Sequence, residues 1–439
     1  MSQLQKKALP LSAGLCNASL LLYMVWLLLP AVQTTGGALA GACTVGLFAL
    51  GVLLDTDDLR RQWPWLLARA ACAVVLPLLL WQFLERGSEN KLGFYAQQVM
   101  FWYPLIYCAY ARERGDERLW RYVKPVLLGV VTLTTLTTIG WLVQGMLRGG
   151  RVYAYSRSLG FALPGQEAYL KELMLRNIGG YDFVYATVLL LPLTCIAIQA
   201  ARGWKRVGFS ALLCAQAVMV VLSQYTYAMV FTAGILAAEA VAAILRAASR
   251  GRMKLGVSLL WGLVPIAAVA LLHRPLLGWA AALCEQVGFT SFAFSLNQLL
   301  VALEGGVTED TARLSHYLLA LEGIARSPFL GSMLGGETFL SQHSDLLDLF
   351  SGMGVIGAAG VGGMIWLMGR GSLRGVRACP YRAQLAVLAL AFAATALLGT
   401  VVYSRDVMLV AAVGTALVLR DGQKARSTHG MDSADCPPH

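Results

Sequence analysis

Charge is scarce in this chain. Only 13% of its 439 residues are Asp, Glu, Lys or Arg, whereas 57% are apolar, and the mean hydropathy is +0.63. A water-soluble fold of this length has no use for so much apolar surface. Histidine is scarcer still, with five residues, of which His429 and His439 lie in the C-terminal tail. The nine cysteines include no Cys-x-x-Cys pair and fall mostly inside apolar runs, which argues against a disulfide framework and a zinc site. No Gly-x-Gly-x-x-Gly follows a strand pattern and no Walker A loop occurs, so neither nucleotide cradle is expected. Asp55, Asp57 and Asp58 sit among loop charges and read as solvated rather than metal-holding. Neither a metal nor a cofactor is expected.

What the chain has in abundance is long apolar runs. They recur at lengths of about 18 residues or more, enough for a helix to cross a bilayer. Alternation of the kind a membrane β-barrel needs is missing. The expected fold class is therefore an all-α polytopic membrane protein with about twelve transmembrane helices. The spans read 11–29, 35–54, 66–84, 94–110, 124–147, 180–200, 207–222, 226–245, 255–272, 346–368, 383–401 and 405–420. The first run is read as a retained span rather than a cleaved signal, being long for a signal core and lacking a small-x-small site. Inner loops of membrane proteins collect Lys and Arg. With both termini inside, 24 of the 35 basic residues fall on the inner side. The net charge of +11 is thus a matter of topology, and no nucleic-acid partner is expected.

Two segments on the outer side exceed minimal loops: 148–179, and 273–345 between spans nine and ten. The larger is not low in complexity. Leu276–Val287 and Phe292–Leu303 read as helices, and Thr311–Arg326 as an amphipathic helix capped by Thr311 and ended by Ser327-Pro328. The organisation is then 1–272 for spans one to nine, 273–345 for a helical outer-face loop, 346–420 for spans ten to twelve, and a polar tail at 421–439 expected to lack structure.

The outer segments are unusually rich in arginine and hold the informative histidine. His343, in Gln342-His343-Ser344-Asp345, stands where the large loop meets span ten. An imidazole takes or gives a proton near neutral pH. Arg313, His316 and Tyr317 share one helix face at i, i+3 and i+4. Arg326 ends that helix, and Arg176-Asn177-Ile178-Gly179-Gly180-Tyr181 stands at the mouth of span six. Guanidinium forks bind phosphates two bonds at a time, so the set reads as a site for an anionic, lipid-borne substrate. The plainer readings are headgroup contacts for Arg148 and Arg151, snorkelling for Arg176 and a structural place for His316.

The stretch Arg313…Pro328-Phe329-Leu330-Gly331…His343-Ser344-Asp345…Gly354-Val355-Ile356-Gly357 resembles the signature of the O-antigen ligase and polysaccharide polymerase (Wzy-type) superfamily. That signature is an Arg, a Pro-x-x-Gly turn, then a His before an apolar span with Gly-x-x-Gly. The Arg176 segment resembles exopolysaccharide polymerases. Ligases of the superfamily tend to carry a Ser-Arg pair in a mid-chain span, where this chain has Ser223-Gln224. The resemblance implies a GT-C-like membrane enzyme of the bacterial cytoplasmic membrane. It would transfer glycan from undecaprenyl diphosphate to a sugar hydroxyl at the outer leaflet, without metal, inverting the anomeric centre. His343 and Arg313 would be catalytic, Arg176 and Arg326 would bind diphosphate, and Asp345, His316 and Tyr317 would support. A flippase and a chain-length regulator would be its partners. Ligation to a lipid A core and polytopic transport are the alternatives. Transport would call for two similar halves and charges at mid-membrane, and no half-repeat is visible.

Overall fold

The structure is a computed structural model and describes residues 3–84, 91–149, 156, 159, 165–249, 275, 277–303, 310–332, 339–341, 343–399 and 404–427. Among the described residues all regular structure is helical. The elements are α1 (Gln3–Leu28), α2 (Pro30–Leu53), α3 (Thr56–Leu84), α4 (Lys91–Arg114), α5 (Val123–Gly149), α6 (Glu167–Leu175) and α7 (Tyr181–Ala200). They continue as α8 (Trp204–Ser223), α9 (Thr226–Ser249), α10 (Thr290–Leu303), α11 (Asp310–Arg326), α12 (Asp345–Gly369), α13 (Arg382–Leu398) and α14 (Arg405–Ser427). Residues 277–286 are also helical. Two compact units result: Met1–Leu133 with Ala320–His439 (unit 1), and Thr134–Leu319 (unit 2).

Among the described residues, eight helical stretches are long and apolar enough to cross a membrane: Leu11–Leu28, Pro30–Leu53, Gln62–Leu80, Glu117–Arg148, Tyr181–Ala200, Trp204–Ser223, Thr226–Ala243 and Asp345–Gly369. They define the class, an all-helical multi-pass membrane protein, and fall on eight of the twelve expected spans. Of the other four, 255–272 lies outside the described residues. The remaining three form α4, α13 and α14, which fall short by that measure. α13 has only 17 residues. In α14 charges stand at both ends of the apolar run, at Arg405 and Asp406 and again at Arg420 and Asp421. α4 carries Gln97, Gln98 and several tyrosines. The reason α4 and α14 tolerate polarity is enclosure. α4 packs against α2, α3, α12 and α14, and Tyr103, Tyr107, Leu409, Val413 and Leu417 are buried. A helix wrapped by protein does not need an apolar lipid-facing surface.

Tyrosines fill the core of unit 1 and each buried hydroxyl has a partner, as burial demands. Tyr23 donates to the Met100 carbonyl (2.6 Å), Tyr107 to that of Leu119 (2.6 Å), and Tyr103 lies 2.6 Å from the Ser19 hydroxyl.

One end of unit 1 gathers charge. The Arg114–Asp55 pair (2.6 Å) joins the end of α4 to the end of α2, and Lys124–Asp421 (2.5 Å) joins the start of α5 to α14. Arg420 pairs with Glu117, while Arg112 donates to Gln423 (3.0 Å) and to the Arg374 carbonyl (2.8 Å). The starts of α1 and α5 and the ends of α2, α4, α12 and α14 therefore meet at this end. These are the loops that the basic-residue count places on one side. The same bonds explain why α14 runs on to Ser427, although 421–439 was expected to lack structure. Residues 428–439 lie outside the described residues.

Among the described residues Arg69 is the most enclosed charge, 1% exposed, and donates to Glu113 (2.8 Å) and to the Arg370 carbonyl (2.9 Å). Removing one partner of a buried pair leaves the other charge uncompensated, at a cost of about 3–5 kcal/mol. Arg69→Ala should therefore lower the thermal unfolding temperature of the detergent-purified protein far more than the double change Arg69→Met with Glu113→Leu. Equal losses would mean that packing, not charge, is what Arg69 supplies.

In unit 2, α7 is the central post: Phe183–Ala197 are buried, with α8 and α9 packed against it. The helices expected at 276–287, 292–303 and 311–326 are present at 277–286, Thr290–Leu303 and Asp310–Arg326. Thr311 is not a cap, because the helix already includes Asp310.

Candidate functional site

His343 lies directly ahead of α12, in a turn fixed through its backbone. Ser344 is the N-cap of α12, and its hydroxyl accepts from the Leu347 amide (3.2 Å). Ser341 accepts with its hydroxyl from the amides of His343 (3.1 Å) and Ser344 (3.0 Å), and its own amide donates to Asp348 Oδ1 (2.6 Å). Asp345 and Asp348 occupy the first turn, where carboxylates offset the helix dipole. The Asp345 amide donates to the carbonyl of Gly399 at the end of α13 (3.3 Å). The His343 side chain is half-buried at the end of unit 1 opposite the charged one, since α12 ends there at Gly369 and Arg370.

The Pro-x-x-Gly turn and the Gly-x-x-Gly of α12 prove to be two halves of one clamp. α12 is broken at Gly354 (φ 64°, ψ −176°). In an unbroken helix the amides of Val355 and Ile356 would bond to the carbonyls four residues back. Instead they donate to the carbonyls of Pro328 (2.8 Å) and Phe329 (3.1 Å). The freed carbonyl of Ser351 accepts from the amide (2.8 Å) and hydroxyl (3.0 Å) of Ser332. Gly331 (φ 77°) lets the turn lie flat on this break, and a Cβ there would collide with the Gly352 carbonyl. Ser351 also donates to the Phe339 carbonyl (2.5 Å), closing the loop that leads to His343.

Arg326 ends α11 in the same unit, paired with Glu322 (2.6 Å) and with its guanidinium over the Phe339 ring (4.7 Å to the centroid). The pair is exposed, and such i,i+4 pairs hold only about 0.3–0.5 kcal/mol, so a phosphate can displace the carboxylate.

The Arg176 segment belongs to unit 2. A row of threonines on α5 holds it: the Asn177 carboxamide donates to the hydroxyls of Thr134 (3.2 Å) and Thr137 (3.1 Å), Thr137 donates to the Asn177 carbonyl (2.8 Å), and Thr138 accepts from the Gly179 amide (2.8 Å). Asn177 takes the left-handed conformation (φ 58°), which turns the chain from α6 into α7. Arg176 itself pairs with Glu172 and stacks on Trp141 (4.5 Å). Asp182 follows in the first turn of α7 and is exposed. The Thr134, Thr135, Thr137 and Thr138 pattern was visible in the sequence, but inside an apolar run it read only as part of a span.

Arg313, His316 and Tyr317 also belong to unit 2 and stand on one face of α11 as expected, His316 exposed and Tyr317 half-buried. The side chain of Arg313, like residue Gln342, lies outside the described residues. Unit 1 thus brings His343, Asp345, Arg326, the turn and the α12 break together. Unit 2 holds Arg176, Arg313, His316 and Tyr317. Comparison with protein-family models and with curated proteins finds no match.

Proposed function

We propose that the protein is a membrane polymerase of lipid-linked oligosaccharide repeats. It transfers the growing glycan from undecaprenyl diphosphate to a sugar hydroxyl of another lipid-linked unit. In this reading the chain crosses the cytoplasmic membrane twelve times, the charged end of unit 1 faces the cytoplasm, and the His343 end faces the outer leaflet. The observation that carries the reading is the clamp. Two parts of the stretch that resembles the superfamily signature, the Pro328–Gly331 turn and the Gly354 break, form one hydrogen-bonded assembly in the unit that holds His343.

The chemistry follows from the residue types. The acceptor oxygen bonds to the anomeric carbon as the bond from that carbon to the diphosphate oxygen breaks. His343 takes the acceptor proton, which is general-base catalysis. Charge grows on the departing diphosphate and requires fixed cations. The family resemblance is what assigns that role to Arg313, Arg176 and Arg326, and a supporting one to Asp345, His316 and Tyr317. The leaving diphosphate carries the driving energy, so ATP is not needed.

The test is reconstitution. Purified protein in liposomes, given undecaprenyl-diphosphate-linked repeat units, should yield a ladder of longer glycans on a gel. Export of unextended repeats without a ladder would instead identify a transporter, and transfer only to a lipid A core would identify a ligase. Within the same assay Arg313→Lys should lose about tenfold or more of the rate, because Lys keeps the charge but loses the two-pronged grip. Full activity in Arg313→Lys would remove Arg313 from the diphosphate.

A further inference from the structure

The arginines of unit 1 are not all committed in the same way. At the charged end, Arg69, Arg114 and Arg420 each face a carboxylate, and Arg112 donates to Gln423 and to a backbone carbonyl. At the opposite end stands Arg405, the first residue of α14. Among the described residues its guanidinium makes no ion pair and rests on the face of Trp26, 5.2 Å from the ring centroid. The neighbouring carboxylate, Asp406, is buried and has an interaction of its own. Ser404 is 1% exposed and Trp26 3% exposed, yet neither the Ser404 hydroxyl nor the Trp26 indole N–H has a hydrogen-bond partner among the described residues.

The Ser404 hydroxyl and the Trp26 indole N–H are thus buried donors without an acceptor among the described residues, in a setting where unsatisfied polar groups are costly. A guanidinium laid on an indole face keeps its N–H edge available for an in-plane acceptor. The first amides of α14 add to the set, since the earliest helical bond there runs from Met408 to the Ser404 carbonyl (3.2 Å) and the amides before it point out of the helix start. These donors suit an anion with several oxygens, and they stand at the same end as the carboxylates of Asp345, Asp348 and Asp406. Its place relative to His343 follows within unit 1. The Asp345 amide bonds to Gly399, the C-cap of α13, and the chain passes from there to Ser404. Five residues span at most about 18 Å.

We propose that Arg405, with the Ser404 hydroxyl, binds a phosphate of the lipid diphosphate at the His343 end of unit 1. The inference rests on the polymerase reading and gives that site a second cation, besides Arg326, within the unit that holds the base. A membrane phospholipid offers the same phosphate chemistry, so the experiment separates the two sources.

Purified full-length protein in detergent is titrated with undecaprenyl diphosphate, undecaprenyl monophosphate and phosphatidylglycerol, with binding followed by native mass spectrometry. Wild type should prefer the diphosphate. Arg405→Ala should weaken the diphosphate at least tenfold and leave phosphatidylglycerol unchanged, and Arg405→Lys should fall between. Arg374→Ala, at the charged end, should alter nothing. Size-exclusion profiles show whether each variant is folded, and Arg405→Lys carries the test if Arg405→Ala does not fold. Unchanged diphosphate binding in Arg405→Ala and Arg405→Lys would overturn this proposal while leaving the polymerase reading intact. Equal loss of diphosphate and phosphatidylglycerol would make Arg405 a headgroup anchor and also overturn it. Wild-type protein that binds no diphosphate would overturn both readings.

Discussion

His343→Ala abolishes polymer and leaves the protein folded: this is the expected result, the first half following from the proposed general-base role and the second from the geometry. The His343 amide donates to the Ser341 hydroxyl, a bond that alanine makes equally well. The cap of α12 belongs to Ser344, and the tie to α13 belongs to the Asp345 amide. The bonds of the turn described above come from backbone amides and from the Ser341 and Ser344 hydroxyls, and the imidazole is half-buried. Loss of a general base lowers rate by about 10²–10⁴-fold. In a deletion strain carrying the variant, gels of surface glycan should show no ladder, lipid-linked single repeats should accumulate, and membrane levels and thermal unfolding should match wild type. A normal ladder would remove His343 from the chemistry. An absent ladder with a collapsed unfolding temperature would show that the side chain supports the fold instead.

Gly354→Ala should be the most disruptive small substitution in α12. Its φ of 64° with ψ of −176° lies where only glycine is comfortable, and a Cβ would collide with the Phe329 backbone. The strained conformation costs about 1–3 kcal/mol and the overlap a similar amount. If the turn is pushed off, the amides of Val355 and Ile356 lose their acceptors and the Ser351 carbonyl loses its donors. Gly360 in the same helix provides the control, with open space around a Cβ and no positive φ. Gly360→Ala should be neutral or slightly stabilising, since alanine is the better helix former. The two variants are compared by thermal unfolding in detergent and by ladder formation. Equal behaviour would mean that the break at Gly354 does not hold the turn.

The sequence made the helices legible because their cause is local. An apolar run of about 18 residues is a helix in a membrane whatever surrounds it, and the eight qualifying stretches sit where the runs do. Helix enclosure is not local. The Gln97 and Gln98 region of α4 and the charged ends of α14 were read as ordinary spans because nothing in a single segment says which neighbours will wrap it. The sequence carries the i,i+4 partners of Arg176 and Arg326 as Glu172 and Glu322, and the structure pairs each arginine with that carboxylate one turn away.

The site divides in the same way. The sequence by itself determined that His343 stands at a span boundary, that Arg313, His316 and Tyr317 share a helix face, and that the loops rich in Lys and Arg recur after every second span. Each of these is a matter of spacing or composition along one segment. Only the tertiary structure decided that Pro328–Gly331 and Gly354 form one clamp, that threonines of α5 hold the Arg176 segment, and that Arg405 rests on Trp26. These are contacts between distant segments. The physical reason is backbone accounting: a helix broken at Gly354 must find new partners for its amides and carbonyls, and sequence spacing does not say from where they come.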